Sequence, residues 1–157
     1  TQPGMPMIYY GDELGLPGYT DPDNRQPLWW HGVDLTVHDA ESLMGELAPG
    51  PRRVLDTVKR LAHARSEHPA LRGGEWTEWW NGGDGLYATA HVKDDDAALV
   101  IINRTYEEHW IDNDIVFANL PEGRYIDILS DEYFESASNR LSLGVSSFST
   151  RVLVPAD

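Results

Sequence analysis

Carboxylates, one arginine and several aromatic rings crowd into residues 8–30. The charged and aromatic side chains of this segment include Asp12, Glu13, Tyr19, Asp21, Asp23, Arg25, Trp29 and Trp30. Carboxylates and guanidinium groups can each hold neighbouring hydroxyls through paired, charge-assisted hydrogen bonds. Aromatic rings add large, flat, amphipathic surfaces. Such groups suit a neutral, hydroxyl-rich ligand, and the residues considered for binding are Asp21, Arg25, Asp12 and Trp29.

Each candidate also has a plainer interpretation. Asp21 and Arg25 stand at i, i+4 and could form an ion pair that only orders the loop. Trp29 could pack beneath the loop and not line a cleft. Asp12 and Glu13 are neighbours, and neighbours in an extended segment point to opposite faces. A retaining acid–base pair needs carboxyls about 5–5.5 Å apart on one bond, so we expect these two mainly to brace the loop.

Composition excludes several classes of partner. The chain has 157 residues, with 26 acidic and 12 basic ones, for a formal charge of −14. Nucleic acids and anionic membranes need a basic surface, so neither is expected as a partner. The absence of cysteine excludes disulfides and thiol nucleophiles,. No stretch approaches the roughly 20 apolar residues of a transmembrane helix. Because the chain begins Thr-Gln-Pro-Gly, we expect a fragment or a processed product, which leaves the cellular compartment open,.

No cofactor is expected. The six histidines lack the spacing of a metal site,. The run Asp21, Asp23, Asn24 resembles the opening of a calcium loop, and calcium is kept as the alternative. The remaining ligands of such a loop are absent, because no glycine stands at the sixth position and no glutamate near the twelfth,. Asp23 and Asn24 are more typical of turns.

The elements that would position this segment differ in character along the chain. Residues 5–10 are a short apolar run, which predicts a strand buried on both faces,. Residues 11–50 form a long, turn-rich connection of the kind that is often functional, with a short helix conceivable around residues 38–47. An i, i+3, i+4, i+7 apolar stripe after Pro51 predicts a helix over residues 51–67.

The second half of the chain predicts an antiparallel β-sandwich. Short β-type runs separated by turn signals occupy residues 76–80, 85–92, 97–103, 109–118, 123–129, 139–143 and 147–154,. The run 97–103 is apolar on both faces, with Ala98, Val100 and Ile102 on one and Leu99 and Ile101 on the other, so it should lie centrally. Three tryptophans stand near the start of the sandwich: Trp76, Trp79 and Trp80. We expect them to pack the sandwich against the domain that precedes it, and a starch-binding surface is the alternative.

These residues carry a family resemblance. GMPMIYYGDELG at residues 4–15, DPDNRQP at 21–27 and Trp29 resemble the end of the (β/α)8 barrel of α-amylase-family glycoside hydrolases, especially the neopullulanase, cyclomaltodextrinase and maltogenic-amylase group. The helix after Pro51, with HPALR at 68–72, resembles the last barrel helix. The rest resembles the family's Greek-key-like C-terminal sandwich. The resemblance implies barrel strand 8, its loop and the last helix in residues 1–72, and the sandwich in residues 73–157.

The resemblance implies the activity of a parent enzyme and the part that this chain plays in it. The parent enzyme would hydrolyse α-1,4 bonds, and alternatively α-1,6 bonds, of maltodextrin, cyclodextrin or pullulan with retention. Its partners would be an α-glucan oligosaccharide and the upstream remainder of the barrel. Asp21 and Arg25 match the family's D-P-x-x-R segment, which contacts a donor-side glucose. The three catalytic carboxylates of the family have no counterpart here, and His38-Asp39 lies in the wrong place to supply one, so no catalytic residue is assigned.

Two other classes of function remain open from the residues. The sandwich could act as a carbohydrate-binding or purely structural module. The parent could instead be a glucan-, sucrose- or trehalose-handling transglycosylase or isomerase of the same superfamily.

Overall fold

A computed structural model describes residues 4–28, 36, 47–81, 85–116, 120–138 and 140–156. The chain divides into two compact units. Met5–Lys59 form the first, called here the loop unit. Arg60–Asp157, together with Thr1–Gly4, form the second, the sandwich unit.

The loop unit contains little regular structure among its described residues. Two single-turn 3-10 helices, Asp12–Leu14 and Asp23–Arg25, interrupt the extended backbone. Its small core consists of buried Leu14 and Leu47, packed with the partly buried Leu16, Leu28 and Leu55. A core this small suits a segment whose order comes mainly from turns and local hydrogen bonds. The short helix considered for residues 38–47 lies outside the described residues, except for Leu47.

The strand predicted over residues 5–10 is not formed in this structure. Residues 5–9 have no regular secondary structure, and Met5 and Met7 are 94% and 87% exposed. Ile8, Tyr9 and Tyr10 are also exposed. A central strand needs neighbours on both edges to pair its N–H and C=O groups. None of the described strands pairs with this run, so its apolar composition alone cannot make it a strand.

The predicted helix is confirmed with an earlier start. Helix α1 spans Pro49–Glu67, and a short helix α2 follows at Ala70–Gly73. Both Pro49 and Pro51 lie in the first turn of α1, where a missing N–H costs nothing. Neither described helix is long and apolar enough to cross a membrane.

Eight antiparallel-paired strands among the described residues build the sandwich unit. Their bounds are β1 Glu75–Asn81, β2 Leu86–Lys93, β3 Asp96–Asn103, β4 His109–Val116, β5 Gly123–Asp127, β6 Tyr133–Ser136, β7 Arg140–Val145 and β8 Thr150–Pro155. Six of them form one sheet in the order β1-β2-β3-β8-β5-β6, and β4 pairs with β7 in a second sheet. Side chains from both sheets share one buried core, including Leu99, Ile101, Ile111 and Leu143. The antiparallel sandwich is therefore confirmed.

Strand β3 lies inside the larger sheet and is buried on both faces, as predicted. Leu99 and Ile101 belong to the core between the sheets. Ala98 belongs to a separate cluster on the other face, where it packs with Leu71 of α2 and Val154 of β8. The continuous apolar run follows from this position, because most side chains on both faces of β3 are buried.

Asp96 ties the helices to this outer face of the sheet. One carboxylate oxygen accepts the Ala70 N–H at 2.8 Å, and the other lies 2.9 Å from His68 Nδ1. Both bonds are local to the start of α2, so Asp96 caps the helix with a side chain that comes from β3. The helix is thereby positioned by the sheet and not only by its own sequence.

Tyr125 in β5 is 1% exposed, and its hydroxyl donates a hydrogen bond to the Pro121 carbonyl at 2.9 Å. Burial, together with the negative charge of Asp96, raises the pKa of Tyr125 to about 12. The ordinary tyrosine pKa in an unfolded chain is about 10. The folded state therefore holds this proton over a pH range in which the unfolded chain has released it.

We expect the sandwich unit to lose stability between pH 10 and pH 12. A raised folded-state pKa leaves the stability intact below about pH 10 and removes it as pH rises toward 12, at about 1.36 kcal/mol per pH unit. The total loss is then about 3 kcal/mol. Urea denaturation at a series of pH values measures it.

Tyr125→Phe is the control for this pH dependence. It should cost about 1 kcal/mol at neutral pH, because the hydrogen bond to Pro121 is lost, and it should flatten the alkaline decline. An equally steep alkaline decline in the variant would show that another group causes it.

Candidate functional site

A cleft of about 190 Å3 lies in the loop unit, at the segment where the sequence predicts a polar ligand site. Its walls are Tyr9, Tyr10, Gly11, Asp12, Leu16, Pro17, Gly18, Asn24 and Gln26. The two tyrosine rings lie with their centroids 4.8 Å apart. One carboxylate, two side-chain amides and two phenol rings thus face a common space. This set can bond hydroxyls and offer a ring face, and it contains no opposed pair of carboxylates.

Asp12 is positioned by a local hydrogen-bond ring. Its Oδ2 accepts the Tyr9 N–H at 3.0 Å, while the Asp12 N–H donates to the Tyr9 carbonyl at 3.0 Å. Glu13 Oε2 accepts the Gly11 N–H at 2.9 Å. Both carboxylates therefore brace the turn that forms the cleft wall. Contact between Asp12 and a ligand stays a prediction.

A close backbone approach brings Asn24 to the same cleft. A Cβ atom on Gly18 would lie 2.6 Å from the Asn24 Cα and 3.0 Å from the Asp23 carbonyl oxygen. Only glycine permits this distance between the two chain segments. The residue after Gly18, Tyr19, donates its N–H to Asp23 at 3.4 Å, which closes the loop.

Asp23 serves the turn with both of its oxygens. Besides the Tyr19 N–H, it accepts the Gln26 side-chain amide at 2.8 Å. Across the described residues, no group of three or more His, Cys, Asp or Glu side chains is arranged to hold a metal ion. Calcium in this loop stays the untested alternative.

Asp21 and Arg25 form the ion pair that the i, i+4 spacing suggests. Arg25 Nε lies 3.1 Å from Asp21 Oδ1, and both side chains are about 60% exposed. Neither residue lines the cleft around Asp12. A surface pair of this kind contributes about 0–1 kcal/mol to stability. Their contact with sugar stays a prediction, and an exposed, mutually oriented pair is available for it.

Three sequence-predicted features lie partly or wholly outside the described residues. Trp29, a candidate binding residue, and the pair His38-Asp39 are outside them. Of the tryptophans at the start of the sandwich, Trp76 is 37% exposed. Gln26 lines the cleft, although sequence analysis did not select it. In the sequence, Gln26 could have been selected for its amide side chain and for its position directly after Arg25.

The chain is similar to known proteins in both sequence and structure. No protein-family profile matches the chain. Neopullulanase 2 of Thermoactinomyces vulgaris is 26% identical over 154 residues, which is 96% of this chain and 23% of that protein. A cyclomaltodextrin glucanotransferase of Paenibacillus macerans is 30% identical over 129 residues, or 82% of this chain and 15% of that protein. An α-amylase structure from Geobacillus thermoleovorans, complexed with acarbose, covers 100% of this chain and 31% of its own, with a TM-score of 0.72 and 24% identity.

These relatives confirm the resemblance seen in the sequence. The chain is homologous to α-amylase-family glycoside hydrolases and corresponds to their C-terminal part. The chain spans less than a quarter of the length of the two enzymes compared by sequence.

Proposed function

We propose that the chain is the C-terminal part of a retaining hydrolase of α-1,4-glucans, which positions substrate and supports the barrel. The carrying observation is similarity to neopullulanase 2 over 96% of the chain, because that span includes both the cleft-forming loop and the sandwich. The enzyme's substrates would be maltodextrin, cyclodextrin or pullulan, with α-1,6 bonds as a further target.

The domain boundary belongs to this proposal. Residues 1–72 would complete the (β/α)8 barrel with its eighth strand, loop and last helix, and residues 73–157 would form the C-terminal sandwich. The exposed apolar run at Met5, Met7 and Ile8 supports this assignment. Three large apolar side chains in one short segment call for a covering surface, and pairing within a barrel would supply it. Ligand sites of such barrels lie directly after the strands, where the cleft residues occur.

The proposed chemical role is positioning. Side chains that hold a sugar in register convert binding energy into orientation at a bond that other residues break. Asp21 and Arg25 would hold vicinal hydroxyls of one glucose, and their ion pair would keep the two groups oriented before the sugar arrives. Asp12, already fixed by the Tyr9 N–H, would offer its remaining acceptor capacity to the cleft.

Removing either member of the Asp21–Arg25 pair is expected to lower kcat/KM on maltoheptaose by about 10- to 100-fold, because a hydrogen bond to a charged group contributes about 1.5–3 kcal/mol. The measurement is steady-state kinetics of Asp21→Ala and Arg25→Ala in the intact protein that carries this chain. Stability should change by less than about 1 kcal/mol.

Two controls separate sugar contact from loop bracing. Glu67→Ala breaks another exposed i, i+4 pair, His63–Glu67 at 3.2 Å, and should leave kcat/KM unchanged. The double variant Asp21→Arg/Arg25→Asp restores an ion pair with its members exchanged. Recovery of wild-type kcat/KM in this double variant would mean that the pair only orders the loop.

Transglycosylation is the second candidate activity. The 30% identity to a cyclomaltodextrin glucanotransferase favours it, since that enzyme is named for glucosyl transfer. Product analysis by NMR distinguishes the two activities. Hydrolysis raises the number of reducing ends, whereas transfer redistributes chain lengths or closes rings at a constant number of glycosidic bonds.

A further inference from the structure

Trp110 in β4 is 67% exposed, although tryptophan is among the side chains most often covered,. Its cross-strand partner is Gly144 in β7. A Cβ atom on Gly144 would lie 3.0 Å from both Cε3 and Cζ3 of the indole. The six-membered ring therefore lies against the bare backbone of Gly144. This contact fixes the ring on one side and leaves much of its surface open to solvent.

A groove of about 420 Å3 adjoins this ring. Its polar walls include Glu108, Glu132 and Arg151, and Phe134 adds an apolar side. The volume falls within the range of small-molecule sites, about 300–1,000 Å3. An exposed flat ring beside a few polar groups is the usual composition of such a site.

Two polar groups of the groove, Arg151 and Glu132, are held in place before any ligand arrives. Arg151 Nε donates to the Gly144 carbonyl at 3.3 Å, and Nη1 donates to buried Asp127 at 3.0 Å. Arg151 also bonds Glu132, and this hydrogen bond lowers the pKa of that carboxyl. Glu132 is therefore a charged acceptor at neutral pH. Groups already locked by other contacts lose little entropy when a ligand binds.

The charges around the groove limit the kind of ligand that it can bind. The chain carries a formal charge of −14, and two carboxylates line the groove, so an anionic ligand is disfavoured,. The guanidinium of Arg151 is engaged by Asp127 and Glu132 and is thus not offered to a phosphate. A cation would find Glu132 already paired with Arg151, with Glu108 as the remaining lining carboxylate. A neutral ligand with an apolar face and hydroxyl donors suits both the ring and the carboxylates.

We propose that this groove on the sandwich unit binds one α-glucan chain, with the apolar face of a pyranose stacked on Trp110 and its hydroxyls bonded to Glu108 and Glu132. The choice of an α-glucan over other neutral sugars rests on the function proposed above. The role proposed for the groove is to hold the polysaccharide.

The test is a calorimetric titration of the 157-residue chain with maltoheptaose. Trp110→Ala is expected to weaken binding by about tenfold or more, as removal of a central aromatic contact does. Gly144→Ala keeps the indole but displaces it, and should weaken binding as well. Tyr106→Ala removes an 89% exposed ring elsewhere on the sandwich and should leave affinity unchanged. Because Trp110 is exposed, the thermal unfolding midpoint of its variant should stay close to that of the wild type.

Several results would overturn the proposal. They are absence of maltoheptaose binding by the wild type, equal affinity of wild type and Trp110→Ala, and a preference of the Trp110 site for cellohexaose or for a lysine-rich peptide. None of these would remove the proposed hydrolase activity, which is measured on the intact protein. A Trp110-dependent preference for maltoheptaose supports the groove even if the intact protein proves to be a transferase.

Discussion

Replacing Asp127 with alanine is expected to destabilise the sandwich unit by about 3–5 kcal/mol, the cost of removing one partner of a buried ion pair. Asp127 ends β5 and is 0% exposed. Its Oδ2 accepts hydrogen bonds from Arg151 Nη1 at 3.0 Å and from the Ser130 hydroxyl at 2.9 Å. Its Oδ1 accepts the N–H groups of Leu129 and Val152, each at 3.1 Å.

All four donors lose this acceptor in Asp127→Ala, and Arg151 keeps Glu132, whose side chain is 57% exposed, as its remaining carboxylate partner. The Arg151 side chain is only 17% exposed, so water cannot fully replace the carboxylate. The Val152 N–H belongs to the buried central part of β8, where an unpaired donor is costly,. Asp127 also joins the β5–β6 turn to β8, so its loss loosens the edge of the larger sheet. Urea denaturation at neutral pH measures the effect.

Asp131→Ala is the matched control for Asp127. Asp131 pairs with Arg60 at 3.0 Å, but its side chain is 66% exposed. Such a surface pair contributes about 0–1 kcal/mol. Equal losses in the two variants would contradict the account, because burial would then have no influence on the strength of the pair.

Replacing Asn103 with alanine is expected to cost about 3 kcal/mol, the upper end of the penalty for buried groups left unpaired. Asn103 ends β3 and is 2% exposed. Its Nδ2 lies 2.7 Å from the Glu107 carbonyl, 3.0 Å from that of Val145 and 2.9 Å from that of Ser146. Its Oδ1 accepts the Thr105 N–H at 2.9 Å. One side chain thus joins the β3–β4 loop to the end of β7.

Asn103→Asp keeps the shape and replaces the amide donor with a second acceptor. It places a carboxylate oxygen against three carbonyl oxygens, so we expect a loss at least as large as that of alanine. Glu107→Ala is the control, because Glu107 contributes only backbone atoms to the network. Its effect should stay within about 0.5 kcal/mol. A mild Asn103→Asp variant, measured by thermal and urea unfolding, would refute the proposed donor role.

Local patterns predicted the elements whose order comes from their own sequence or from a generic core. Helix α1 follows from its apolar stripe and its early prolines, and β3 follows from apolar residues on both faces. The loop-bracing role of Asp12 was also accessible, since its partner Tyr9 is only three residues away. In these cases the chain segment that carries the signal also carries most of the interaction.

Features that depend on distant partners could not be predicted. Residues 5–10 have the composition of a buried strand, but a strand exists only with neighbours to pair it. Strand β6 was not predicted, because its four residues are too few to show a clear alternation of apolar and polar side chains. It forms a strand because it pairs with β5. Trp110 could not be distinguished from the other tryptophans, because its exposure depends on Gly144, 34 positions later in the sequence.

We propose that Asp21, Arg25 and Asp12 position an α-glucan for an enzyme whose catalytic carboxylates lie elsewhere. The most direct measurement follows new reducing ends from maltoheptaose and a cyclodextrin, with the 157-residue chain and the intact protein side by side. We expect the intact protein to release sugar of retained anomeric configuration and the chain alone to release none. Hydrolysis by the chain alone would contradict the account, because a carboxylate within it would then be catalytic. Failure of the intact protein to act on any α-glucan would contradict the proposed substrate class.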